Sequence, residues 1–117
     1  MIRKADECKV EYREHMRGGE GTVEITNFIS GSAELYEKGR LFSKITLKPG
    51  TGIGYHVHET DSELFYFLNG PLEYNDNGTV VTVNAGDVAI CPAGTGHAVT
   101  NNTDETKELV ALIVYAE

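Results

Sequence analysis

Residues 50–70 read GTGIGYHVHETDSELFYFLNG and hold two of the four histidines of the chain. Side chains of a β-strand alternate between its faces, so His56 and His58 would point the same way from a strand, about 6.6 Å apart along it. On an α-helix the same pair would diverge by roughly 200°. The spacing therefore predicts a strand that presents two imidazoles to one metal ion.

The residues after these histidines predict a returning strand. Residues 59–62 form a polar break, and the apolar run at residues 64–68 follows it. Two runs separated by such a break are typical of a β-hairpin. In the returning strand Glu63 shares a face with Phe65 and Phe67, which places one carboxylate opposite the two imidazoles.

Two other acidic residues in the same stretch are alternatives to Glu63 as the carboxylate ligand. Glu59 and Asp61 lie in the predicted turn, where acidic side chains are usually solvated. Glu63 begins the alternating strand, so we expect it to be the carboxylate ligand.

Composition limits the class of protein. With 117 residues, 40% hydrophobic and 24% charged, the chain is predicted to form one globular domain over residues 1–117. Its formal net charge of −8 disfavours a nucleic-acid partner, which would require clustered Lys and Arg. The longest apolar run, residues 109–116, is too short for a membrane span. We expect a cytoplasmic protein that binds neither nucleic acid nor membranes.

Alternating apolar and polar residues, separated by turn signals, recur along the chain. Examples are the alternation at residues 40–48 and the hairpin-type turn at residues 76–78, Asp-Asn-Gly. We count eight to eleven short strands and no long helix, which predicts an all-β sandwich or small barrel. Residues 1–21 are predicted to form an edge strand, with Val10 and Tyr12 alternating, and a loop. An edge strand invites pairing with a second subunit, so we expect a homodimer.

A third imidazole candidate lies in residues 86–101, GDVAICPAGTGHAVTN. A single histidine is usually an ordinary surface or core residue. His97, however, begins a strand after a proline and two glycines, the same arrangement of turn residues that precedes His56. Val99 would share its face.

The two histidine segments together resemble the cupins, which are small jelly-roll barrels, also called double-stranded β-helices. The first cupin motif is Gly, five residues, His, one, His, four, Glu, six, Gly, and its places are occupied by Gly50, His56, His58, Glu63 and Gly70. The second is Gly, five residues, Pro, one, Gly, two, His, three, Asn, and its places are occupied by Gly86, Pro92, Gly94, His97 and Asn101. All ten positions match.

The resemblance implies one divalent metal inside the barrel, bound by His56, His58, Glu63 and His97. None of the four is substituted, which disfavours the metal-free branch of the family. A mixed nitrogen and oxygen ligand set suits Mn, Fe, Co, Ni or Zn rather than Ca or Mg. A six-coordinate ion would keep two positions for water, dioxygen or a chelating substrate, and the sequence does not choose between Lewis-acid chemistry and oxygen activation.

Several side chains around the ligands have two interpretations each. Phe65, Phe67 and Val99 either line a mostly apolar substrate pocket or simply fill the barrel. Arg40 and Lys44 share a strand face and either anchor an anionic substrate or are solvated on the outside.

Other polar side chains are left open in the same way. Tyr55, Tyr66 and Tyr74 each could supply a hydroxyl to the pocket. His15 and Arg17 belong to a loop that could cover the mouth of the barrel.

The activity is not fixed by this resemblance, because cupins include dioxygenases, decarboxylases, isomerases, epimerases, storage proteins and sensing modules. Our first hypothesis is a metal-dependent enzyme, of dioxygenase, decarboxylase or isomerase type, that acts on a small polar or carboxylated metabolite. The alternative is a module that binds a metal and a small ligand without turnover. A metal-free epimerase, with a histidine base oriented by a carboxylate, is the third possibility.

Overall fold

The computed structural model describes all residues, 1–117, and consists of ten β-strands with three short 3-10 turns. The strands are β1 (Val10–Glu14), β2 (Thr22–Asn27), β3 (Gly39–Leu47), β4 (Gly52–His58), β5 (Asp61–Phe67), β6 (Leu72–Asp76), β7 (Thr79–Val83), β8 (Val88–Cys91), β9 (Thr95–Thr100) and β10 (Lys107–Tyr115). The 3-10 turns are Ala5–Glu7, Met16–Gly18 and Ser32–Leu35. The all-β prediction is confirmed.

The strands form two antiparallel sheets. One has six strands in the order β1-β2-β3-β10-β5-β8, and the other has four in the order β4-β9-β6-β7. Each sheet turns its alternate apolar residues toward the other, and fourteen buried side chains form one hydrophobic cluster. The architecture is the jelly roll that the resemblance to the cupins implied.

The predicted hairpin between the two halves of the first motif is wrong. β4 pairs with β9, whereas β5 pairs with β10 and β8 in the other sheet. The chain changes sheets at residues 59–60. Each of these strands has one apolar face. When the strands lie in opposite sheets, the two apolar faces pack against each other in the interior. The crossing makes the two histidines and Glu63 face each other through the interior.

β4 contains an irregularity that decides where its histidines point. Its pairing with β9 shifts register between Ile53 and His56. Ile53 is buried, and three residues of strict alternation would turn His56 outward. The irregularity restores the inward direction, so His56 and His58 face the interior while Val57 is exposed.

The N-terminal strand β1 lies at the edge of the six-stranded sheet. β1 pairs only with β2, and Val10 and Tyr12 are 42% and 68% exposed. The 3-10 turn Met16–Gly18 then packs against β4. No helix of the protein has the length and apolar character needed to cross a membrane.

Candidate metal centre

Three strands bring the four predicted ligands to one point. β4 supplies His56 and His58, β5 supplies Glu63, and β9 supplies His97, which lies directly opposite His56 in the sheet. One ligand atom from each of the four lies within 4.8 Å of every other. His58, Glu63 and His97 are buried, and the side chain of His56 is 11% exposed.

The separations between the donor atoms are short. Glu63 Oε1 lies 2.9 Å from His97 Nε2, 3.0 Å from His58 Nε2 and 3.9 Å from His56 Nε2. The Nε2 atoms of His58 and His97 are 3.2 Å apart. Atoms bound to one ion through bonds of about 2.0–2.2 Å lie at such distances from one another.

The other ring nitrogens of the β4 histidines fix their tautomers. His56 Nδ1 lies 2.8 Å from the carbonyl oxygen of Gly54, and His58 Nδ1 lies 2.7 Å from Asp61 Oδ1. A carbonyl oxygen and a carboxylate only accept hydrogen bonds, so both Nδ1 atoms donate. In the neutral ring each Nε2 then carries a lone pair that points toward the centre.

His97 is held by two aromatic neighbours. Its Nδ1 lies 2.9 Å from the Tyr74 hydroxyl, and its ring stacks on Phe65 with centroids 4.9 Å apart. Burial raises the pKa of Tyr74 above its usual range, so this hydroxyl stays neutral. Tyr55 and Tyr66 are both 47% exposed, which leaves Tyr74 as the tyrosine that contacts the site.

The donor set fits a cation. The Nε2 lone pairs of His56 and His58 and the carboxylate of Glu63 converge in a buried space, where they repel one another unless a proton or a metal ion lies between them. Nitrogen and carboxylate donors together suit a divalent transition metal. The cluster is therefore able to hold a metal ion.

The protonation of the centre follows from these contacts. Burial alone would raise the pKa of Glu63, but the imidazoles of His56, His58 and His97, which in their protonated forms direct an N–H toward it, outweigh burial and hold that pKa well below its usual range. The hydrogen bond to Glu63 raises the pKa of His58, with a further contribution from Asp61, against the effect of burial. Glu63 is thus ionised, and a proton competes with any cation for His58.

The prediction that Asp61 is a solvated residue of a turn is wrong. Asp61 is 7% exposed rather than solvated in a turn, because β5 begins at this residue and turns it inward. Its carboxylate bridges His58 Nδ1 and Arg40 Nε, the latter at 2.9 Å. Burial raises the pKa of Asp61, but these two partners outweigh it and lower the pKa. The alternation that links residue 61 with Glu63 was the signal available in the sequence.

A cavity of about 140 Å³, which we call the inner cavity, opens beside the centre. Its wall includes His56, His58 and Glu63. Three arginines that the sequence analysis did not bring together also line it: Arg13, Arg17 and Arg40. The loop that carries Arg17 therefore does lie at the cavity, whereas His15 is not part of the lining.

The comparison with protein families agrees with this geometry. Residues 43–115 match the family model described as Cupin domain. The chain belongs to the cupin family.

A similar sequence and a similar solved structure both come from Thermotoga maritima. The cupin is 36% identical, over 114 residues, to a protein named oxalate-binding protein, covering 97% of this chain and 93% of that one. A crystal structure described as a predicted oxalate decarboxylase superposes with a TM-score of 0.92 at 35% identity, covering 98% and 99% of the two chains. A Klebsiella pneumoniae protein with a double-stranded β-helix domain shares the fold, with a TM-score of 0.70 at 23% identity over 99% and 90%.

Phe65, Phe67 and Val99 lie in the hydrophobic core of this cupin, each no more than 2% exposed. None of them lines the inner cavity. Their burial agrees with the interpretation that they fill the barrel, and Phe65 additionally supports the ring of His97.

Arg40 and Lys44, the two basic residues of β3, lie in different surroundings. Arg40 lines the inner cavity, whereas Lys44 pairs with Glu108 on the outer side at 3.3 Å.

Proposed function

We propose that this cupin binds one divalent transition metal through His56, His58, Glu63 and His97, and a small dicarboxylate of the oxalate type beside it. The observation that carries the proposal is the composition of the inner cavity. A chain of net charge −8 gathers three arginines around the one cavity that reaches the ligand cluster. Such an arrangement recognises a small anion.

The metal part of the proposal rests on the donor atoms. Mn, Fe, Co, Ni and Zn all accept imidazole and carboxylate ligands, and the cluster does not select among them. A bound ion would supply positive charge and Lewis acidity at the end of the inner cavity. The histidines are already oriented by Gly54, Asp61 and Tyr74, so little ordering is needed on binding.

The anion part rests on Arg40 above all. Its Nε is bound to Asp61, while its two terminal nitrogens make no hydrogen bond within the protein. These nitrogens can donate to a carboxylate in the cavity, and the bond to Asp61 fixes the plane of the guanidinium. Oxalate is suggested by the name of the similar Thermotoga protein, and the size of the inner cavity suits a ligand this small.

Turnover of the same ligand is the second candidate, favoured by the description of the similar structure as a predicted oxalate decarboxylase. Decarboxylation requires a proton donor at the carbon that loses carbon dioxide. Besides Glu63, the carboxyl group in the cavity lining is Glu11, and a hydrogen bond from Asn27 lowers its pKa. An ionised Glu11 is a poor acid, so the geometry supports binding better than decarboxylation.

The test is calorimetric titration of oxalate into metal-depleted and Mn²⁺-loaded protein. We expect binding only in the loaded form, and an affinity at least about tenfold weaker in Arg40→Gln that still holds the metal. Lys44→Gln is the matched control, because it removes one positive charge from the same strand outside the cavity. Equal binding without metal, or unchanged binding in Arg40→Gln, would overturn the proposal. Assays for carbon dioxide, formate and oxygen uptake on the loaded protein decide between binding and turnover.

A further inference from the structure

Arg17 differs from the other two arginines that line the inner cavity, because its side chain makes no hydrogen bond or ion pair within the protein. Arg13 lies 3.6 Å from Glu11. Arg40 donates from its Nε to Asp61 at 2.9 Å. The guanidinium of Arg17 therefore keeps all of its donors available to a ligand.

The backbone of Arg17 adopts a conformation that residues other than glycine rarely have. Its φ and ψ are 55° and 28°, in the left-handed region, where glycine is unstrained. The 3-10 turn Met16–Gly18 is also held in place, because a Cβ at Gly54 of β4 would collide with the carbonyl oxygen of Arg17. A strained residue that is anchored beside a cavity indicates a role for its side chain.

Arg17 and Arg40 reach the inner cavity from opposite sheets. Arg40 belongs to β3 of the six-stranded sheet, whereas the turn that carries Arg17 packs against β4 of the four-stranded sheet. Both residues line the same cavity. A ligand between them can accept hydrogen bonds from a guanidinium on each side, which suits a molecule with two carboxylates.

The charge around the inner cavity also favours a ligand with two negative charges. Three arginines are matched there by three carboxylates, those of Glu11 and Glu63 in the lining and that of Asp61, which is bound to Arg40. A divalent ion at the metal centre would therefore leave two positive charges without a partner. A dicarboxylate balances both, whereas a monocarboxylate leaves one unbalanced.

We propose that Arg17 determines the selectivity of the inner cavity for dicarboxylates over monocarboxylates. This deepens the proposed function and rests on it, because it assigns the second carboxylate of the same ligand to a residue. Arg40 holds one carboxylate, and Arg17 donates to the other. A ligand with a single carboxylate makes no use of Arg17, so the loss of this side chain weakens the binding of dicarboxylates alone.

The experiment titrates two ligands into Mn²⁺-loaded protein at low salt: oxalate, and glycolate, which has two carbons but one carboxylate. For Arg17→Gln we expect the affinity for oxalate to fall about fivefold and that for glycolate to change by less than about twofold. Arg17→Gly should show the same loss in a protein that folds at least as well, because glycine relieves the strained backbone. Lys48→Gln is the matched control, since Lys48 is exposed and does not line the cavity.

The outcomes separate this inference from the proposed function. Oxalate binding that is unchanged in both Arg17 variants, or an equal loss for oxalate and glycolate, would overturn the inference and leave the proposed function intact. A loss for oxalate in Lys48→Gln as large as in Arg17→Gln would also overturn it, because the effect would then come from net charge. Failure of oxalate to bind the loaded wild-type protein would overturn both.

Discussion

At the residue scale, the carboxylate of Asp61 joins a candidate metal ligand to the wall of the inner cavity, because it contacts both His58 and Arg40. Its loss would leave His58 Nδ1 without its acceptor and free the ring to rotate. We expect Asp61→Ala to lower the affinity for Mn²⁺ or Zn²⁺ by about 10- to 100-fold, measured by competition with a chelating dye. Glu59→Ala is the control, since Glu59 is an exposed acid two residues away. Equal affinities in the two variants would exclude a positioning role for Asp61.

The dependence of metal binding on pH is also set by single residues. A metal ion binds neutral imidazole, so protonation of the histidines competes with it. Free imidazole protonates below about pH 6.5, and the pKa of His58 is raised by its hydrogen bond to Glu63. Affinity should therefore begin to fall as the pH drops toward 6.5 and continue to fall below it. Titrations between pH 8 and pH 5 check this, and a constant affinity over that range would contradict it.

At the element scale, β4 depends on the close approach of the turn Met16–Gly18. A side chain at Gly54 would collide with the carbonyl oxygen of Arg17, a backbone atom that cannot move without displacing the turn. We expect Gly54→Ala to lower the free energy of unfolding by about 1–3 kcal/mol, measured by urea denaturation. Gly31→Ala is the control, because it has extended backbone and no atom near its added Cβ. Equal midpoints for the two variants would show that the turn adapts freely.

At the scale of the whole molecule, β1 is the outermost strand of the six-stranded sheet. It pairs with β2 on one side only and exposes Val10 and Tyr12. Pairing of this edge with its copy in a second chain would satisfy the free backbone groups and cover both side chains. We expect a dimer in light scattering at micromolar concentration, and a shift toward monomer in Tyr12→Asp. Val80→Asp, on the edge strand β7 of the other sheet, should leave the dimer unchanged. A monomeric wild type would refute the expectation.

Some features of the molecule can be predicted from the sequence before any contact is known. Alternation along a strand predicted the shared direction of His56 and His58 and singled out Glu63, and the resemblance to the cupin motifs added His97 to the four side chains that the structure brings together. Alternation is sufficient only for directions within one strand. The same alternation predicted the all-β architecture.

Other features depended on which strands become neighbours. The crossing of the chain between sheets at residues 59–60, the irregularity in β4 and the burial of Asp61 all follow from pairings between distant strands. The gathering of Arg13, Arg17 and Arg40 around one cavity has the same origin, since nothing in their spacing relates them. The sequence by itself determined which side chains share a face within each strand. Only the tertiary structure decided which faces meet, because long-range backbone pairing and burial are settled between segments far apart in the chain.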